Sequence, residues 1–110
     1  MAKVLLVEDS PTQAVEIRML LEEGHHDVMH VANGKLALAV LEREPIELVV
    51  TDLEMPEMNG LELVEAMRSD FEHIPAVLVT ARGSEELASK ALQRGAAGYV
   101  PKNHLQSLLN

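Results

Sequence analysis

Along the chain, short apolar runs alternate with stretches in which apolar residues recur every three or four positions. Lys3–Val7 (KVLLV), the run beginning at Ile46 (IELVV) and Ala76–Val79 (AVLV) are nearly continuous and bounded by turn residues, which suits strands buried on both faces. Asp27–Val31 (DVMHV) carries polar interruptions and reads as an edge strand, and Gly98–Val100 is a short fifth. Between the runs the period lengthens. Ser10-Pro11 suits the cap and first position of a helix running to about Glu23, burying Ala14, Ile17, Leu20 and Leu21, with Gly24 as its stop. Asn33-Gly34 opens a second helix, with Leu36/Val40 and Ala37/Leu41 as i,i+4 pairs, and Pro45 ends it. A short third helix spans Leu61–Arg68, with Leu61, Val64 and Met67 on one side. Ser84 caps a fourth, whose first turn carries Glu85 and Glu86 in favour of the helix dipole, with Glu86 and Lys90 as an i,i+4 pair and Gly95 as its stop.

Five strand–helix units in alternation imply an α/β, flavodoxin-like (βα)5 doubly wound parallel sheet. The expected strand order is 2-1-3-4-5, with its switch point between strands 1 and 3. Asn103 can cap the last helix, which carries Leu105, Leu108 and Leu109 but has barely two turns before Asn110. Residues 1–110 are therefore expected to form one domain truncated within that helix.

Composition narrows the function classes. The 110 residues are 47% hydrophobic, which argues against disorder, and no apolar run approaches the roughly 18 residues of a membrane span. No signal peptide is recognisable, so a cytoplasmic location is the default expectation. The absence of cysteine excludes a disulfide scaffold and thiolate metal sites. Nine basic against 18 acidic residues give a net charge of −9, so no basic footprint for nucleic acid is present. Phe71 and Tyr99 are the only aromatic residues, too few for a platform on which bases could stack.

Four strands end in polar groups: Glu8-Asp9, Asp52, Thr80 and Lys102. A parallel sheet brings these ends to its carboxyl edge, where ligands bind in such folds. A single acid at a strand end is more often a cap than a nucleophile; the set, each directly after an apolar run, reverses that balance. Three close carboxylates call for a cation, and a hard divalent ion with oxygen ligands, Mg2+ above all, is the natural resident. Acids, metal, ammonium and hydroxyl together suit phosphoryl transfer, with an Asp able to act as nucleophile. The five histidines, His25, His26, His30, His73 and His104, lack metal-ligand spacing and read as surface residues.

The segments VLLVEDS, VVTDLEMPEMNG, VLVTA and GAAGYVPK resemble the receiver domains of bacterial two-component response regulators, over essentially the whole chain. The resemblance implies Asp52 as phosphoacceptor, Asp9 as direct Mg2+ ligand, Glu8 acting on the metal through water, and the Glu54 backbone carbonyl as a further ligand. It implies Thr80 and Lys102 as contacts of the phosphoryl group, and Thr80 with Tyr99 as the switch. The implied partners are a histidine kinase or histidine phosphotransfer domain and an unidentified output domain or protein. These would be reached through the face of the fourth helix, fifth strand and fifth helix, a face that could also dimerise on phosphorylation. Neither nucleic acid nor membrane is an implied partner of the domain itself. Glu54 and Arg82 are expected to flank the site and to pair across its mouth. One feature departs from the family pattern: Asn103, not proline, follows Lys102, so that peptide bond is expected to be either trans with an altered loop or a strained cis bond.

Two other readings share the same residues. A small aspartate-nucleophile phosphatase would turn over phosphate esters, although such enzymes carry Asp where Glu54 stands. A pseudo-receiver would bind its partner without phosphorylation, against which the intact acid, hydroxyl and lysine set argues. The chain is thus expected to be a signalling phosphoacceptor, catalysing only its own phosphorylation and dephosphorylation.

Overall fold

A computed structural model describes residues 2–55, 57–81 and 85–104. Five parallel strands, β1 (Lys3–Val7), β2 (Asp27–Val31), β3 (Leu48–Asp52), β4 (Ala76–Thr80) and β5 (Gly98–Pro101), pair in the order β2-β1-β3-β4-β5. The connecting helices are α1 (Pro11–Glu23), α2 (Gly34–Arg43), α3 (Gly60–Asp70) and α4 (Glu85–Gln93). The expected fold and strand order are what the structure shows. β2 lies at the edge, as its polar interruptions implied.

Alternation along the strands divides the core between the two faces of the sheet. Leu5, Val7, Val49 and Leu78 meet Ala37, Val40 and Leu41 of α2, Leu63, Val64 and Met67 of α3, and Ala88 and Ala91 of α4. Val4, Leu6, Val50 and Val79 meet Ala14, Ile17 and Leu21 of α1. Ala88 and Ala91 of α4 are fully buried.

The local signals hold at most helix ends. Ser10 accepts a hydrogen bond from the Gln13 N–H, and Pro11 takes the first helical position of α1. Asn33 caps α2 through the Leu36 N–H. For α3 the sequence pattern marks no cap, and the structure supplies one: Asn59 and Glu62 form a reciprocal capping box, and the helix spans Gly60–Asp70 rather than Leu61–Arg68.

Several expectations needed correction. Leu20 is only half-buried and Leu36 is exposed, because each lies at the margin of its helix's apolar stripe. Leu63, fully buried, belongs to the α3 stripe, while Leu61 packs only partly against the core. β3 starts later than its apolar run: Ile46 enters the core from the preceding turn, and the strand continues through Thr51 and Asp52. Glu86 and Lys90 do not form an ion pair. Ser84 and the last helix from Leu105 onward lie outside the described residues.

Candidate functional site

The register of the sheet sets Glu8 beside Asp52. Val7 pairs with Thr51 across β1 and β3, so the next residue of each strand comes level at the carboxyl edge. The Glu8 backbone is held from the β2 side, where its N–H donates to the Val31 carbonyl at 3.1 Å and its carbonyl lies 2.8 Å from His30 Nε2. Its side chain is buried: Oε2 accepts from the Ser10 N–H at 3.1 Å, while Oε1 has no hydrogen-bond partner among the described residues. Burial pushes its pKa up to about 7; the Ser10 hydrogen bond opposes that rise and the nearby Asp52 carboxylate adds to it.

Asp52 is itself buried, at 5% exposure, whereas Asp9 is open to solvent. One carboxylate oxygen from each of Glu8, Asp9 and Asp52 lies within 4.8 Å of the others. Lys102 approaches from β5, with Nζ 3.4 Å from Asp52 Oδ2. Its peptide bond to Asn103 is trans, and the lysine still reaches the pocket. Thr80 ends β4 at 3% exposure, one residue past Val79, which pairs with Asp52; Pro101 lies opposite Thr80 and delivers Lys102 next.

The loop after β3 is shaped by one close approach. A Cβ on Gly60 would lie 2.7 Å from the Asp52 carbonyl oxygen and 2.9 Å from Leu53 Cα, so only glycine can start α3 there. The Gly60 N–H donates to the Leu53 carbonyl at 2.8 Å, closing the loop that carries Glu54. On its outer side Met58 lies over Gly34, tying this loop to the start of α2.

The donor set fits a small hard cation. Three clustered carboxylates, one with a buried oxygen left without a partner, form a site for an oxygen-liganded ion, and the neighbouring ammonium suits an anion bound beside it. The model of the response regulator receiver domain family matches residues 4–110. The chain belongs to that family.

Among relatives of this receiver domain, the response regulator FleR of Pseudomonas aeruginosa is 40% identical over 101 residues, which are 92% of this chain and 21% of FleR. The chain thus spans about a fifth of FleR. A CheY homologue of Campylobacter jejuni is 38% identical over 104 residues, covering 91% of this chain and 80% of that protein. In structure, CheY4 of Vibrio cholerae superposes with a TM-score of 0.86 at 29% identity, covering 99% of this chain and 96% of that one. The receiver domain of a Syntrophus aciditrophicus signal transduction histidine kinase gives 0.83 at 32% identity, covering 99% and 90%. Receiver domains serve two-component signalling, interact with histidine kinases and output domains, and bind Mg2+ at an acidic pocket. They are signalling phosphoacceptors rather than conventional enzymes.

Of the residues singled out in the sequence, Glu8, Asp9, Asp52 and Lys102 come together, with Thr80 at the adjoining strand end. Glu54 is exposed on the loop after β3, and Tyr99 lies 43% exposed on β5. Arg82 lies outside the described residues, so its expected pairing with Glu54 does too. Three groups at the site were not foreseen: the Ser10 N–H, the His30 ring and Gln13, whose Oε1 lies 2.5 Å from Lys102 Nζ. Gln13 did leave a signal, as a polar residue four positions before Ile17 on the inward stripe of α1.

Proposed function

We propose that Asp52 is the phosphoacceptor of this receiver domain and takes its phosphoryl group from a phosphohistidine on a histidine kinase or phosphotransfer domain. The reading rests on one observation above all: a buried Asp52 stands within 4.8 Å of two further carboxylates and 3.4 Å from an ammonium. Asp9, Asp52 and the Glu54 carbonyl would hold Mg2+, with Glu8 acting through water. The bound ion supplies charge neutralisation for the phosphoryl oxygens.

An Asp52 carboxylate oxygen attacks phosphorus; the P–N bond breaks and its electron pair returns to the imidazole. Lys102 pairs with the oxygens of the transferred group, and burial keeps the carboxylate away from competing bulk water. Hydrolysis later adds water at phosphorus, breaks the P–O bond to Asp52 and releases inorganic phosphate. The Thr80 hydroxyl turns to the phosphoryl group, and Tyr99 moves from its exposed position into the space released. The α4–β5 surface then changes its preference for an output partner or a second copy of the domain. Phosphorylation in this account shifts a pre-existing equilibrium between two arrangements. A cytoplasmic location accords with a kinase donor.

Incubation with acetyl phosphate and Mg2+ tests the proposal. Mass spectrometry should show the gain of one phosphoryl group, stable in acid and labile in base, and no gain with Asp52→Asn or EDTA. Continuous release of phosphate from esters, with no acyl phosphate formed, would favour an aspartate-nucleophile phosphatase instead.

A further inference from the structure

Among the described residues, the shortest contact that Lys102 Nζ makes is not with the acid pocket. It lies 2.5 Å from Gln13 Oε1 and 3.4 Å from Asp52 Oδ2. Gln13 sits in the first turn of α1, and its own backbone is tied back to the pocket. Its N–H donates to Ser10 Oγ at 3.4 Å, and the Ser10 N–H donates to Glu8 Oε2 at 3.1 Å. A chain of contacts therefore runs from Glu8 through Ser10, Gln13 and Lys102 to Asp52.

Resting on the phosphoacceptor reading, we propose that Gln13 is a positioning residue that holds the Lys102 ammonium above Asp52 for phosphoryl transfer. Lysine carries its charge on a flexible four-carbon stem, and fixing that stem costs rotamer entropy. Lys102 lies just beyond the end of β5, where the ladder no longer restrains it, and its side chain is 25% exposed. A hydrogen bond from an ammonium to an amide oxygen is charge-assisted and stronger than a neutral one. Gln13 thus restrains the stem before the phosphoryl group arrives. An ammonium has three donors, so Lys102 can keep Gln13 while pairing with a phosphoryl oxygen. Gln13 guides the lysine and does not compete for it.

The test is a double-mutant cycle on the full chain, combining Gln13→Met, which keeps length but removes the acceptor, with Lys102→Met. The rate of acyl phosphate formation from acetyl phosphate is the first readout, and the NMR signal of the Lys102 ammonium is the second. Gln13→Met should slow phosphorylation about three- to tenfold when Lys102 is present, and within about 1.5-fold have no effect when it is Met. The ammonium signal, slowed in exchange by the Gln13 bond, should broaden or shift in Gln13→Met. Equal rates for wild type and Gln13→Met would overturn the proposal. So would an equal loss in both backgrounds, which would mean Gln13 acts other than through Lys102. A wild-type chain that takes no phosphoryl group fails the phosphoacceptor reading itself, and the positioning role falls with it.

Discussion

Replacing Glu8 with Gln keeps the shape of the side chain and removes its charge. In the metal-free protein this carboxylate is buried with Oε1 unpartnered and faces Asp52, which pushes its pKa from 4.5 up to about 7. Between those values the folded state holds a proton that the unfolded chain has lost. Stability must therefore fall as pH rises from about 4.5 to about 7, and this contribution levels off above that. The rise from 4.5 to about 7 corresponds to roughly 3 kcal/mol, of which roughly 2–3 kcal/mol falls between pH 5 and pH 8. Urea unfolding in EDTA at these two pH values, on wild type and Glu8→Gln, isolates the effect because other titrating groups largely cancel in the difference. The variant should gain on wild type by roughly 2–3 kcal/mol on going from pH 5 to pH 8. Added Mg2+ at pH 8 should stabilise wild type and stabilise the variant less, since only binding to the folded state adds stability. Parallel pH profiles for the two proteins would refute the reasoning, because burial would then not be acting on this carboxylate.

Two glycines give contrasting expectations. Gly60→Ala drives its methyl into the backbone of Asp52 and Leu53 and should destabilise by about 1–3 kcal/mol in urea unfolding. Gly34→Ala meets only the side chain of Met58, 2.7 Å from Cγ, which can swing aside. A helix propensity gain of up to about 1 kcal/mol, smaller at this first helical position than in a helix interior, partly offsets the displacement, so unfolding should change by less than about 1 kcal/mol. A cost for Gly34→Ala equal to that of Gly60→Ala would show that Met58 is locked. Asn59→Ala removes the α3 capping box, in which Asn59 Oδ1 accepts from the Glu62 N–H at 2.9 Å. It should cost about 0.5–2 kcal/mol, and an unchanged midpoint would count against the cap.

Much of the fold was readable because its strands are almost uninterrupted apolar runs, the mark of a sheet covered on both faces. Capping residues at Ser10 and Asn33 marked where α1 and α2 begin, since a side chain acting on its own helix is a local event, whereas Asn59, the cap of α3, reads in the sequence only as part of a loop. The margins of stripes were harder: whether Leu20 or Leu36 is covered depends on how each helix is rolled against the sheet, which spacing alone leaves undetermined. The pocket was legible in so far as strand ends align at one edge. Glu8, Asp9 and Asp52 follow from that logic, and Lys102 follows from the end of β5. What periodicity could not supply was the bond from Gln13, 89 positions away along the chain, or the His30 ring on the Glu8 carbonyl. Both depend on side-chain reach between elements. The trans Lys102–Asn103 bond likewise settles only once the loop is seen to bring the ammonium to 3.4 Å.

The central claim is that Asp52 carries the phosphoryl group, and chemical trapping tests it at the level of the residue. After incubation with acetyl phosphate and Mg2+, borohydride reduction converts an aspartyl phosphate to homoserine, which peptide mapping can locate. The account predicts homoserine at position 52, dependent on Mg2+ and absent from Asp52→Asn. Homoserine at position 9, or none in a protein that binds Mg2+, would contradict it.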